Sequence, residues 1–146
     1  LTLISPIALG KEIDSNYLEN FIKSESRRDL KKEIEKLYFN ADIITRDMLN
    51  EVLKFLRIDS VKETLTIIKN EILNGQEQKN NLINEINSLS IPISVIWGDE
   101  DKIIPSNHSK VLNDKINIIL EKECGHMAHI EKAASVNEVI TKTIMK

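Results

Sequence analysis

Two apolar runs in the last third of the chain, ISVIW at 93–97 and INIIL at 116–120, constrain the fold more than anything else in the 146 residues. ISVIW is almost continuous in apolar side chains, as a strand must be when a parallel sheet is covered on both faces. A helix over about Ser106 to Asn113 fits between the two runs, and a closing helix from about Ala128 carries Val136, Val139, Ile140 and Ile144 on one stripe. Strand, helix, strand is a βαβ crossover, which sets its two strands parallel in a right-handed turn. An α/β architecture follows.

Upstream, LTLIS at 1–5 ends at Ser5-Pro6 and reads as another short buried strand. From about Asp14 to Ser90 the pattern is helical and highly charged. Tyr17, Leu18, Phe21 and Ile22 form one stripe at three-and-four spacing, and Leu30, Ile34, Leu37 and Tyr38 form another. Thr45 is placed to cap a helix carrying Met48, Leu49, Val52, Leu53, Phe55 and Leu56. Ser60 with Glu63 makes a capping box for a helix with Val61, Leu65, Ile68 and Ile72 on one face; Gly75 is its stop, and a last helix is expected from about Gln76 to Leu89. Only four glycines and three prolines punctuate the chain, which favours long helices over many strands. The expected organisation is residues 1–13 with 91–146 as an α/β core of about three parallel strands, and residues 14–90 as a helical segment between them.

Charge and cysteine content narrow the function classes. Twenty Lys and Arg against 23 Asp and Glu give a net charge of -3, so no overall field favours nucleic acid or an anionic membrane. Cys124 is the single cysteine, so no intramolecular disulfide forms, and a cytoplasmic protein is expected. No apolar run approaches the ~18 residues that span a bilayer. The chain opens on Leu1 in strand-like sequence without a lead-in, from which a piece of a longer product is expected.

Residues just beyond the carboxyl ends of parallel strands emerge side by side, where open sheets bind ligands. Asp101 lies four residues past Trp97 and His126 six past Leu120, so the two can reach one point. A carboxylate there would fix the imidazole tautomer and stabilise the imidazolium formed when the histidine takes a proton from a nucleophile. Gly125 lets the loop before His126 bend. Taken alone, the residues leave a structural role open for both. Asp99 and Glu100 read as solvated surface, and His108 and His129 as helix-terminal or surface residues. His126, His129 and Glu131 match no strong zinc spacing, so no metal is expected, and Cys124 has no activating arrangement for a nucleophile.

"IPISVIWGDEDKIIP" followed by "CGHMAHIEKAASVNEVI" resembles the carboxyl-terminal half of the α/β-hydrolase fold, in which the seventh strand ends in a W-G-x-x-D turn and the eighth leads to G-H. The resemblance implies that Asp101 is the acid and His126 the base of a triad, that LTLIS is the sixth strand, and that residues 14–90 are the inserted helical cap. "SPIALGKEID", "ESRRDLKKEIEKLYF" and "ITRDMLNEVLKFLRIDSVKETL" are similar to the hydrolase-like domain of acetoin dehydrogenase acetyltransferase components. That resemblance implies acetyl transfer from a lipoyl group to coenzyme A in the full-length protein, with other subunits of a dehydrogenase complex as partners.

The nucleophile of this fold sits in a G-x-S-x-G elbow, and none occurs among Gly10, Gly75, Gly98 and Gly125. The H-x-x-x-D-G motif of the usual acyltransferase core of such complexes is also absent from the 146 residues. The segment alone is therefore expected to be inactive and to hold no cofactor. With no strand beyond it, LTLIS would present an open edge, from which self-association through residues 1–5, or cover borrowed from the helical segment, is expected. Two other functions compete. One is a fragment of a free-standing α/β-hydrolase acting on an ester or a carbon–carbon bond. The other is a non-catalytic helical docking domain presenting residues 23–36.

Overall fold

Side-chain burial along the strands dictates the layering. The computed structural model describes residues 1–145. In chain order the elements are β1 (Thr2–Ile4), α1 (Ser15–Lys23), α2 (Arg27–Glu35), α3 (Arg46–Leu56), α4 (Val61–Ile72), β2 (Leu73–Asn74), β3 (Glu77–Gln78), α5 (Ile83–Ser88), β4 (Ser94–Gly98), β5 (Asn117–Glu121), α6 (Ala128–Glu131) and α7 (Ala133–Ile144). Strands β1, β4 and β5 form a parallel sheet with β4 in the middle, Leu3 beside Val95 and Val95 beside Ile118. All five residues of β4 are buried, as its apolar run requires.

Alternation along β4 builds two cores. Val95 and Trp97 point into a cluster with Leu30, Ile34, Leu37, Leu49, Leu53 and Leu56, so the stripes of α2 and α3 bury against the sheet. Ile96 points the other way, onto Cys124, Ala128 and Val136, with Ile4, Ile119, Val139 and Ile140 packed alongside. Strand β5 is covered less completely: Ile118 and Leu120 are 37% and 49% exposed on the face that Val95 and Trp97 share. Among the described residues no helix is long and apolar enough to cross a membrane.

Helix α3 starts where the sequence places it, with the Thr45 hydroxyl accepting from the Met48 amide at 3.1 Å. Several local expectations are corrected. Ser60 precedes α4 in a left-handed conformation, φ 69°, and makes no cap bond, because a capping side chain reaches the N2 or N3 amide from an extended backbone. Gly75 is not a helix stop: Gly75-Gln76 is the two-residue turn of a hairpin in which Asn74 pairs with Glu77, and Gly75 at φ 65° takes the first turn position, where a tight hairpin needs a positive φ. The helix expected over 76–89 shrinks to α5. The Gln78 side chain holds the preceding stretch extended, accepting from the Ala8 amide at 2.6 Å and donating to the Glu12 carbonyl at 2.8 Å. Ser106–Val111 is a 3-10 helix, not an α-helix, and the closing helix is broken at Lys132 into α6 and α7.

Candidate active site

The acidic turn after β4 is tied to its neighbours by backbone bonds. Asp99 donates its amide to the Glu121 carbonyl at the end of β5, and Glu100 donates to the Cys124 carbonyl, 2.9 and 3.0 Å. Their side chains face solvent, as the sequence implies. Asp101 turns inward, and its side chain is completely buried. Its Oδ1 accepts from the amides of Ile103 and Ile104 at 2.8 and 3.0 Å, and its Oδ2 accepts from the Trp97 indole at 2.9 Å.

The fourth donor is His126. Its Nδ1 lies 2.8 Å from Asp101 Oδ2, and the ring is 22% exposed. A carboxylate that receives three N–H donors accepts the fourth as well, so the proton sits on Nδ1 and Nε2 is left with its lone pair. Among the described residues Nε2 has no hydrogen-bond partner, and it is not among the buried unpaired atoms. An imidazole held at Nδ1 by a buried carboxylate, with Nε2 open, is arranged to take a proton from a donor arriving on that side.

Gly125, His126 and Met127 are each anchored. Gly125 donates its amide to Glu131 Oε2 at 2.7 Å, the His126 carbonyl accepts the Ser5 hydroxyl at 3.0 Å, and Met127 donates to the Leu37 carbonyl at 3.2 Å. Ser5, just past β1, is itself left-handed at φ 43° and buried. Gly125 is required for a reason the sequence does not give. It has no positive φ, but a Cβ there would lie 2.7 Å from the Leu37 carbonyl oxygen and 2.8 Å from the Phe39 nitrogen. Gly98 is equally crowded, since a Cβ would overlap the carbonyls of Cys124 and Gly125. The turn, the loop and segment 37–39 are thus in backbone contact.

His129 is exposed on α6. His108 corrects its expectation: it is 5% exposed, its Nε2 lies 2.7 Å from Glu12 Oε2, and its ring meets Trp97 edge-on at 6.2 Å. The ring packs against Gly10, where a Cβ would overlap its atoms. Both oxygens of Glu131 are occupied by backbone amides, so it does not face His126 or His129 as a metal ligand would. Burial, reinforced by the Glu131 charge, pushes the Cys124 thiol up to about 12, which suits a packed side chain and not a nucleophile. Three residues of the site escaped the sequence reading: Trp97, Ser5 and Glu131. Only Trp97 carried a signal, because a buried indole N–H at a strand end needs an acceptor nearby.

The chain superposes on a meta-cleavage product hydrolase from Pseudomonas fluorescens with a TM-score of 0.81 and 14% identity, covering 98% of this chain and 54% of that one. The chain has the fold of part of an α/β-hydrolase. An α/β-hydrolase from a deep-sea metagenome library aligns likewise, with a TM-score of 0.71 and 12% identity over 99% of this chain and 55% of that one. Identities this low speak for the fold alone. The three parallel strands and intervening helices correspond to the carboxyl-terminal part of that fold.

In sequence the chain is 31% identical over 142 residues to the dihydrolipoyllysine-residue acetyltransferase component of the acetoin cleaving system of Cupriavidus necator, covering 97% of the chain and 38% of that protein. It is 32% identical over 146 residues to the component of the same name from Pseudomonas putida, covering 100% of the chain and 39% of that protein. It therefore spans about two-fifths of the length of these curated relatives. No family model matches the chain.

Proposed function

We propose that this segment supplies the acid and base of an acyl-transferring α/β-hydrolase-like domain, with His126 as general base and then acid, and Asp101 as its orienting carboxylate. The observation that carries the reading is the 2.8 Å contact between His126 Nδ1 and the buried Asp101, with Nε2 left open. A serine supplied from outside these 146 residues would lose its hydroxyl proton to Nε2 as its oxygen attacks a thioester carbonyl. The imidazolium would return that proton to the departing thiolate, and the same exchange with a second thiol would release the acyl group. Likeness to the two acetoin-system components supports a lipoyl thioester as donor and coenzyme A as acceptor, both as substrates, and other subunits of a dehydrogenase complex as partners in the cytoplasm. In this reading residues 14–90 cap the site, and residues 1–13 with 91–146 form its α/β base. The segment alone is inactive for want of the serine.

A second reading, hydrolysis of an ester or carbon–carbon bond, needs only that water replace the second thiol before the same open Nε2 of His126. Acyl transfer to coenzyme A measured against release of free acid, in the protein that carries this segment and its nucleophile, separates the two. His126→Ala is expected to abolish both activities. A variant that keeps full activity would sink the catalytic readings and leave docking. For the segment by itself, pairing of two copies along residues 1–5 is the expected form of self-association, and a strictly monomeric species in light scattering argues against it.

A further inference from the structure

We infer that Glu131 is a positioning residue for His126, which it holds in register by clamping the histidine loop to the segment that follows α2. This rests on His126 being the base. The short helix α6 turns the Glu131 side chain back beneath the loop that precedes it, and the carboxylate divides its work. Oε2 accepts from the Gly125 amide at 2.7 Å. Oε1 accepts from the amides of Phe39 and Asn40 at 2.9 and 3.0 Å, 92 and 91 residues away in sequence.

Three features make this a clamp and not an incidental surface contact. Charge-assisted bonds from a carboxylate to backbone amides are the strong class of hydrogen bond, and here three converge on one side chain. The groups they join are also in van der Waals contact, because Gly125 has no room for a Cβ against residues 37–39 and Met127 donates to the Leu37 carbonyl at 3.2 Å. The charge is felt by buried neighbours as well. Tyr38 and Cys124 are both pushed up first by burial and then by Glu131. Gly125 is bonded directly to His126, so a shift of its amide plane moves the ring relative to Asp101. Asp101 cannot follow, since its other three donors belong to β4 and the turn after it.

Glu131→Gln tests the clamp selectively. The amide oxygen of glutamine still accepts from Phe39 and Asn40, but its NH2 then faces the Gly125 N–H, donor against donor, and only the bond to the histidine loop is lost. In the labelled chain, exchange of the Gly125 amide is expected to rise on the order of tenfold, while Phe39 and Asn40 stay within about twofold. The His126 Nδ1–H resonance, assigned by its loss in His126→Ala, is expected to broaden or vanish. In the protein that carries the nucleophile, kcat is expected to fall on the order of tenfold with KM within about twofold. Unchanged Gly125 exchange and an unchanged Nδ1–H resonance would overturn the inference. So would a uniform rise at every amide, the mark of a merely structural role. Fast Gly125 exchange in the unsubstituted chain overturns it without any variant. The amide and imidazole signals do not depend on turnover, so an active His126→Ala, which defeats the catalytic reading, is told apart from a failed clamp.

Discussion

Replacing Asp101 should cost far more stability than replacing His126, although the two make a single contact with each other. The carboxylate receives four donors, and only one of them belongs to the histidine. Asp101→Ala strands the amides of Ile103 and Ile104, which lie in residues 4% and 1% exposed. An unsatisfied buried amide costs about 1–3 kcal/mol, so the pair amounts to about 2–6 kcal/mol. The Trp97 indole adds little, since it keeps a second acceptor in the Ile104 carbonyl at 3.1 Å. His126→Ala removes one donor of four from a ring that is partly exposed, and is expected to cost about 1 kcal/mol. A domain stable by about 5–15 kcal/mol registers that difference clearly in urea unfolding read at constant slope. Asp101→Asn falls between them in stability, because its oxygen still accepts from both turn amides. Its NH2 donates to His126 Nδ1, however, and drives the ring proton to Nε2, so activity in the nucleophile-bearing protein should drop on the order of a thousandfold or more. If Asp101→Ala falls within about 1 kcal/mol of His126→Ala, the carboxylate does not organise the turn and the reasoning fails.

Gly125→Ala forces a Cβ against backbone atoms of residues 37–39, and thermal unfolding should show a loss of about 1–3 kcal/mol; an unchanged Tm refutes the close approach. Cys124, with its thiol pushed up to about 12 by burial, should react with iodoacetamide at pH 8 on the order of a thousandfold more slowly than free cysteine, and at the ordinary rate once urea unfolds the chain. The Glu19 carboxyl is held down to about 2 from an ordinary 4.5, first by its bond to Lys23 and then by Lys69. A depressed carboxyl stabilises the fold above the unfolded value and loses that contribution as pH falls through about 2. Its carboxyl carbon should therefore titrate near the lower figure, and a midpoint at the ordinary value refutes the double pairing.

The elements that could be read in advance are those whose signal is local. ISVIW could be buried on both faces only as a central strand, and β4 is that strand, flanked by β1 and β5. Adjacent strand ends were enough to bring Asp101 and His126 within reach of one point, and the two side chains meet there at 2.8 Å. Periodicity misled where one element runs into another. The apolar stripe of α4 continues through Leu73, and only Gly75, which opens the Gly75-Gln76 turn, signals a hairpin. Ser60 had the composition of a cap, but its backbone is spent on turning the chain between α3 and α4.

What stayed hidden has a common physical form: a polar side chain whose partner is backbone far away in sequence. Ser5 reaches the His126 carbonyl across 121 residues, and Glu131 reaches Phe39 across 92. No composition or spacing rule marks such a pair, because any backbone amide can satisfy any carboxylate, and only the fold selects which one does. Gly125 shows the same limit from the other side. Its lack of a side chain was read as freedom to bend, yet its conformation needs none, and what it provides is closeness to residues 37–39. The histidine loop is therefore fixed from three directions: β1 through Ser5, the end of α2 through Leu37, and α6 through Glu131. The donors to the acid's carboxylate other than His126, by contrast, all come from one stretch of the chain, Trp97 to Ile104. An acid held locally and a base held by long-range bonds respond differently to disturbance of the helical segment. Loosening the packing of α2 should leave the Asp101 turn intact and release His126 first.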